Sequence, residues 1–418
     1  MSYRILMDED SLELFCYNKG RSDSFLFKMW EFNMDCFADK KILLKITACT
    51  LMASMTAAMF SGCSGKAEDT EPSLVPTTTT TETEATTTET STQITYTADD
   101  LRKAGVNELN SVPILMYHRV YGMKNDETEF TGGNVDKDGY NRTSEAFEAD
   151  LRRYYQDGYR MMRLTDYVDG NIGVAFGYSP IILTFDDGIR DVVIQGWNDD
   201  GSPILDPTCA LAILEKIKKE FPDYNVTATF FLNNKLFNNN DADDRKVMKW
   251  MVDNGYDIGN HTYDHKTLGK CDAAEIEKQI GSMYKLLNEI IPGQYVNIVA
   301  LPYGSPETFP PEKPQYEKIF SGTYEGFSYT TKSSLLCSWT RSYSPFVRDY
   351  DVRRLRRIRG YDNNGKDWDI EMNFKQLSEG RRYISDGNPD TIVFPSSDNS
   401  KGDWLKNTYG HQVITYDK

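Results

Sequence analysis

From about residue 111 to the C-terminus, short apolar runs alternate with stretches whose apolar residues recur every three or four positions. The runs at 114–117, 181–185, 228–232, 257–259 and 298–301 read as strands, and the periodic stretches at 144–157, 210–220, 243–254 and 272–289 as helices. In 272–289 the apolar positions are Ile276, Ile280, Met283 and Leu287, and Asp272 with Glu275 predicts a capping box at the helix start. Such alternation predicts an α/β fold, a parallel sheet wrapped by helices and either open or closed into a barrel. In that class the chemistry collects at the C-terminal ends of the strands.

The pattern before residue 111 is different. Lys40, Lys41 and Lys45 precede an apolar stretch at 46–60, which has signal-peptide length and is short for a membrane span. It ends in Phe60-Ser61-Gly62-Cys63, which resembles a bacterial lipobox. That resemblance implies diacylation of Cys63 and a lipoprotein held on the outer face of the cytoplasmic membrane. A plain secretory signal with an incidental cysteine is the alternative. Residues 1–33 sit oddly in front of this signal; a start at Met34 would give an ordinary signal peptide, so residues 1–63 are set aside from fold reasoning. From residue 64 to 97 the composition falls to Thr, Glu and Ser, including a TTTTTETEATTTETST run, and residues 64–110 are expected to form an extended, disordered tether with nothing to bury. The folded domain is expected at 111–418.

Composition narrows the partners. The formal charge of −16 disfavours a phosphate backbone, so no nucleic acid is expected, although the same charge serves plain solubility. Membrane contact is expected only through the lipid anchor, and the protein is expected to be a monomer. No CxxC pair occurs among the seven cysteines, which excludes a cysteine-based zinc site; one disulfide among Cys209, Cys271 and Cys337 is left open.

The chain has only four histidines, His118, His261, His265 and His411. His261 and His265 are four apart, a spacing that places two imidazoles on one face of a helical turn and suits two ligands of one metal. Without the Glu of HExxH a zincin-type peptidase is disfavoured, and alone the pair reads equally as exposed turn histidines. The second signal is the apolar run at 181–185 feeding directly into Asp186-Asp187-Gly188. Adjacent carboxylates repel and are best tolerated beside a cation, although Asp-Asp-Gly is also an ordinary turn. One Asp and two His together make three N/O ligands with open positions, the pattern of a catalytic metal site. A second, unligated Asp beside them suits a general base.

Thr184–Gly188 (TFDDG) followed by His261–His265 (HTYDH) resembles the first two motifs of the polysaccharide deacetylases, the NodB-homology family or carbohydrate esterase family four. The opening VPILMYHRV at 112–120 and the segment Ala300-Leu301-Pro302-Tyr303-Gly304 are similar to the family's first strand and third motif. The resemblance implies a deformed parallel (β/α) barrel with fewer than eight strands. It implies Asp186 as catalytic base and Asp187, His261 and His265 as ligands of a divalent metal, most often Zn2+, with Co2+, Ni2+ or Mn2+ as substitutes. Pro302, Tyr303 and Gly304 would line the substrate, with the Tyr303 N–H helping to hold the oxyanion. The substrate would be an acetylated polysaccharide of the cell surface or surroundings: peptidoglycan, poly-N-acetylglucosamine or a chitin-like glycan.

Three departures from the family pattern stand out. The third motif commonly opens with an arginine that orients the base, but here Ala300-Leu301 precede Pro302. Arg353, Arg354, Arg356, Arg357 and Arg359 follow later, and one of them could replace it while the rest read as a solvated run. The polar insertion between Asp191 and Thr208 predicts a loop near the site mouth that shapes access or is simply tolerated. The late general-acid histidine has no clear counterpart. His411 precedes its apolar run instead of following it, whereas His118 ends the first strand on the expected face, so His118 is favoured. Its bland reading is a core histidine paired with a carboxylate. Phe185, Tyr263, Tyr303, Trp339 and Trp368 offer faces for sugar stacking, although most aromatics in such a domain are core. O-deacetylation of an acetylxylan-type polysaccharide, a two-His-one-carboxylate iron site and a glycan-binding module without turnover remain open alternatives.

Overall fold

The computed structural model describes residues 3–7, 14–18, 96–399 and 404–417. It divides into two units between residues 83 and 84. In the first, Tyr3–Met7 and Leu14–Asn18 pair antiparallel. The signal-like segment, Cys63 and the Thr-rich stretch to residue 95 lie outside the described residues.

The second unit is built on eight strands: β1 (Ile114–Tyr117), β2 (Tyr159–Met161), β3 (Ser179–Asp187), β4 (Thr229–Leu232), β5 (Asp257–Asn260), β6 (Ile298–Ala300), β7 (Ser333–Leu335) and β8 (Ile358–Arg359). They run in the order β7-β6-β5-β4-β3-β1-β8, with β2 paired to the start of β3, and every pairing is parallel. The sheet curls until its edges share one segment. Leu355 exchanges hydrogen bonds with Ser334 and Leu336 beside β7, and three residues later β8 pairs with β1. This is the deformed parallel barrel.

Alternation sorts each strand into two faces. Ile181, Leu183 and Phe185 of β3 join Phe230, Leu232 and Ile258 in the layer under the helices. Ile182 faces the barrel interior with Ile114, Phe231, Ile298, Leu335 and Leu355, and Thr184 and Asp186 follow it on the same face. The outer layer is closed by α2 (Ser144–Gln156), α3 (Ala210–Glu220), α4 (Asp241–Asp253) and α5 (Ala273–Ile290), which bury their apolar stripes against it.

Two expectations need correction. The folded unit does not begin at residue 111. Thr97 caps a helix, α1 (Ala98–Ala104), with a full capping box to Asp100. Leu101 and Val106 then pack on Val393 and Tyr416 of the parallel pair β9 (Thr391–Pro395) and β10 (Gln412–Tyr416). The apolar positions of this annex were too few and too close to the Thr-rich run to read as an element. The insertion after Asp191 forms an antiparallel hairpin, Ile194–Trp197 with Pro203–Leu205, which packs on α4: the Trp197 indole N–H donates to Asp243 and Lys246 lies over its ring at 3.7 Å. Cys209, Cys271 and Cys337 are free thiols.

Candidate active site

β3 delivers both acids to the C-terminal rim of the barrel, and a change of backbone conformation sends them in different directions. Asp186 is still extended strand and faces inward. Asp187 has φ 74, a left-handed conformation that is uncommon for a residue with a side chain. Its carboxylate therefore reaches the neighbouring loop after β5.

That loop carries the two imidazoles. His261 Nε2 and His265 Nε2 lie 3.5 and 3.3 Å from the same oxygen of Asp187. One ligand atom from each of the three residues falls within 4.8 Å of the others. His261 Nδ1 is 2.8 Å from the Ala300 carbonyl, which fixes its tautomer and leaves Nε2 facing Asp187. The loop is not the helical turn expected from the spacing. Thr262 and His265 sit at φ 63 and 54, and this backbone, not helical periodicity, brings the rings together.

The donor set suits a divalent metal. Ligand bonds of 2.0–2.1 Å in a tetrahedron set neighbouring donors about 3.3–3.4 Å apart, and the two Asp187–imidazole separations match that edge. Without an ion the cluster is a coupled acid–base group. Burial would raise the Asp187 carboxyl, but the hydrogen bond and charge of His261 outweigh it and hold it well below the usual range. Burial works against a charged His261, yet Asp186 and Asp187 raise its pKa, whereas burial and His261 lower that of His265.

Asp186 has a different partner. Arg357 Nη1 and Nη2 each donate to one of its oxygens at 2.7 Å, and both side chains are essentially inaccessible, at 0% and 1% exposure. Arg357 also donates to Thr184 Oγ1 at 3.1 Å and to the Leu336 carbonyl at 2.9 Å. The guanidinium overrides the burial of Asp186 and keeps its pKa low. The absent third-motif arginine is thus supplied by the segment that closes the barrel. Arg357 is the one late arginine that takes this place, as the sequence allowed; Arg359 departs from the solvated run, its guanidinium buried against Trp339 and Tyr361, 4.3 and 4.0 Å from their ring centres. Alternation was the available signal, since Leu355, Arg357 and Arg359 are two apart and share a face. Ile358, on the opposite face, hid it.

His118 follows β1 on the same rim. Its ring meets Tyr140 edge-on at 5.0 Å, and its Nδ1 is buried with no partner among the described residues. Burial lowers its pKa, opposed by Asp186 and Asp187 and reinforced by Arg357 and His261, so these four groups are its electrostatic neighbours. His411 is elsewhere, beside Phe346 and Tyr409. Tyr303 stands in the turn Pro302–Gly304 after β6 at φ 58; the residue is 69% exposed and its ring lies 4.9 Å from that of His265. Gly304 is required there, because a Cβ would lie 2.7 Å from the Cys337 nitrogen. Trp339 and Trp368 are partly exposed, whereas Phe185 is wholly core. Asp191 is buried with both oxygens unpartnered among the described residues, and burial with the charges of Asp187 and Asp186 raises its pKa strongly.

Residues 175–310 match the model of the polysaccharide deacetylase family. Over these residues the chain is similar to a polysaccharide deacetylase domain. The matched segment contains Asp186, Asp187, His261, His265 and Tyr303, while His118 and Arg357 fall outside it. Over 132 residues the chain is 33% identical to a peptidoglycan-N-acetylglucosamine deacetylase of Bacillus cereus, covering 31% of this chain and 38% of that one. Over 134 residues it is 25% identical to a chitooligosaccharide deacetylase of a Bradyrhizobium species, covering 32% and 50%. The chain therefore spans half or less of these two relatives. Among solved structures it is similar to the Streptococcus pyogenes deacetylase PplD in complex with acetate, at 16% identity and a TM-score of 0.42, over 65% of this chain and 98% of that one.

Proposed function

We propose that the protein hydrolyses N-acetyl groups on an acetylated glycan, using a divalent metal, most often Zn2+, held by Asp187, His261 and His265. The observation that carries this reading is the meeting of those three donors beside a separate, arginine-paired Asp186. A bound divalent ion supplies Lewis acidity and lowers the pKa of water toward about 7.

The chain's own groups do the rest. Asp186 is kept ionised by Arg357 and accepts the proton of the attacking water. The backbone N–H of Tyr303 donates to the oxyanion that develops as the acetamide carbonyl becomes tetrahedral. His118, which follows β1 on the rim that carries Asp186, is the group that gives a proton to the departing amine. The products are acetate and a glucosamine-type unit. Peptidoglycan, poly-N-acetylglucosamine and chitin-like glycans share this acetamide. The names of the curated relatives favour the first and last of these. We infer that the enzyme works outside the cell as a monomer anchored to the cytoplasmic membrane through Cys63; the lipobox-like segment and the Thr-rich stretch support the anchored, extracellular part of this reading.

The test is acetate release from a panel of N- and O-acetylated glycans, with metal analysis of the same preparation. Release from N-acetylated substrates only is expected. Release from acetylxylan alone would move the activity to O-deacetylation, and sugar binding without acetate would leave a binding module. His261→Ala should remove most bound metal and reduce activity to background; full metal occupancy in that variant would remove the ligand assignment.

A further inference from the structure

We propose that Gln279 is a positioning residue for the Asp187–His261–His265 cluster: from α5 its amide clamps the segment between the two imidazoles and so sets the cluster's affinity for a divalent cation. The proposal rests on reading that cluster as a metal site.

The loop from His261 to His265 has no regular hydrogen-bonding of its own, and two of its residues, Thr262 and His265, hold left-handed backbone. Such a conformation is disfavoured for a residue with a side chain and persists only where its surroundings over-determine it. Three consecutive backbone N–H groups of the loop are taken from outside. That of Thr262 donates to the Asn260 side chain at 2.8 Å, that of Tyr263 to the backbone carbonyl of Gln279 at 3.0 Å, and that of Asp264 to the side-chain Gln279 Oε1 at 2.7 Å. Gln279 Nε2 then donates to Asp264 Oδ2 at 2.8 Å and to Glu275 Oε1 at 2.9 Å. Asn260 is tied to the same helix through Ile280, whose carbonyl accepts from its Nδ2 at 3.0 Å. Two of the three loop N–H groups therefore end on one residue.

Gln279 has 0% exposure, among Ile276, Ile280 and Met283 on the buried face of α5. An amide there is unfavourable unless its hydrogen bonds are made, and Leu would serve packing as well. Here both the acceptor and the donor hydrogens of the amide are in use. Glu275 is drawn into the same arrangement. Its side chain serves Gln279 and Lys266, so the expected capping box is only half formed: Asp272 accepts the Glu275 N–H, with no return bond.

Removing a residue that orients metal ligands typically weakens metal affinity 10–100-fold. In the full chain, Gln279→Leu should raise the Zn2+ dissociation constant by about that factor, measured by competition with a chromophoric chelator. At saturating Zn2+ its kcat should stay within a few-fold of wild type, since no reacting atom is touched. Asp264→Ala, which removes the other end of the clamp, should also weaken Zn2+ binding, and in the double variant the two losses should not add. Asp272→Ala uncaps the same helix and should lower the thermal midpoint without changing Zn2+ affinity. Unchanged Zn2+ binding in Gln279→Leu, or in Asp264→Ala should the first variant not fold, overturns the proposal. So does an Asp272→Ala variant whose affinity falls as far. A wild-type chain that takes up no Zn2+ instead overturns the metal reading itself.

Discussion

Asp186 and Asp187 at the barrel mouth, and Glu108 and Asp386 behind the β9–β10 annex, are two pairs of neighbouring acids taken out of water in the same chain. At the mouth the pair is matched with cations: Arg357 on Asp186, imidazoles on Asp187. In the annex no Lys or Arg among the described residues reaches either carboxyl within ion-pair distance. Glu108 accepts backbone N–H groups from Val393 at 2.7 Å and Asp386 at 3.2 Å, while Asp386 accepts from Asn388 N–H and Thr391 Oγ1. Burial, with Asp386 as a second cause, pushes Glu108 well above the ordinary carboxyl range, whereas both mouth acids are held below it. The partners of a carboxyl withdrawn from water thus decide the direction in which its pKa moves. Cations beside the mouth acids favour their charged form, whereas burial without a cation outweighs the hydrogen bonds to Glu108 and favours its neutral form.

Breaking the comparison at the mouth should have the largest effect. Asp186→Asn removes the base and is expected to reduce kcat by about 10²–10⁴-fold while metal content is retained; near-normal turnover would rule Asp186 out as the base. Because it also leaves Arg357 without its counter-ion, the thermal midpoint should drop as well.

Arg357→Met comes next. It strands a buried carboxylate, and losing one partner of such a pair typically costs about 3–5 kcal/mol of stability. The double variant with Asp186→Asn should lose clearly less than the sum of the single losses in a denaturant-unfolding cycle. Additive losses would mean that the two side chains act independently.

The smallest effect is expected in the annex, and its sign is opposite. Glu108 has a raised folded-state pKa, so its contribution to stability is complete below the unfolded value near 4.5 and declines as pH rises toward the folded one. Glu108→Gln should be nearly neutral at pH 7, within about 1 kcal/mol, and should flatten that decline in urea-unfolding measurements. The mouth acids have lowered folded values and work the other way: their contribution is present above 3.8 and is lost as pH falls through the folded pKa. A Glu108→Gln variant that loses stability mainly at acid pH would reverse the assignment of the two pairs.

Much of this was legible in residue order. The alternation of apolar runs and helical periods located β1, β3, β4, β5 and β6 within a residue or two, because each strand buries both faces and each helix one stripe. TFDDG and HTYDH pointed to acids and imidazoles that do meet in the structure, since the chain has only four histidines and two of them share one motif. His118 was singled out by its place at a strand end, on the rim that also carries Asp186, whereas His411 lies in a separate aromatic cluster.

What residue order could not settle was which distant groups meet. Arg357 is 171 positions from Asp186 and sits in a run of five arginines that reads as solvated surface. Only closure of the barrel through Leu355 and β8 turns that one guanidinium inward. The backbone of Asp187, Thr262 and His265 is likewise a tertiary outcome, because left-handed conformations in side-chain-bearing residues have no local pattern and exist only where neighbours such as Gln279 hold them. Local periodicity decides where strands and helices lie; the pairing of charges across a barrel depends on contacts far apart in sequence, and those appear only once the sheet has closed.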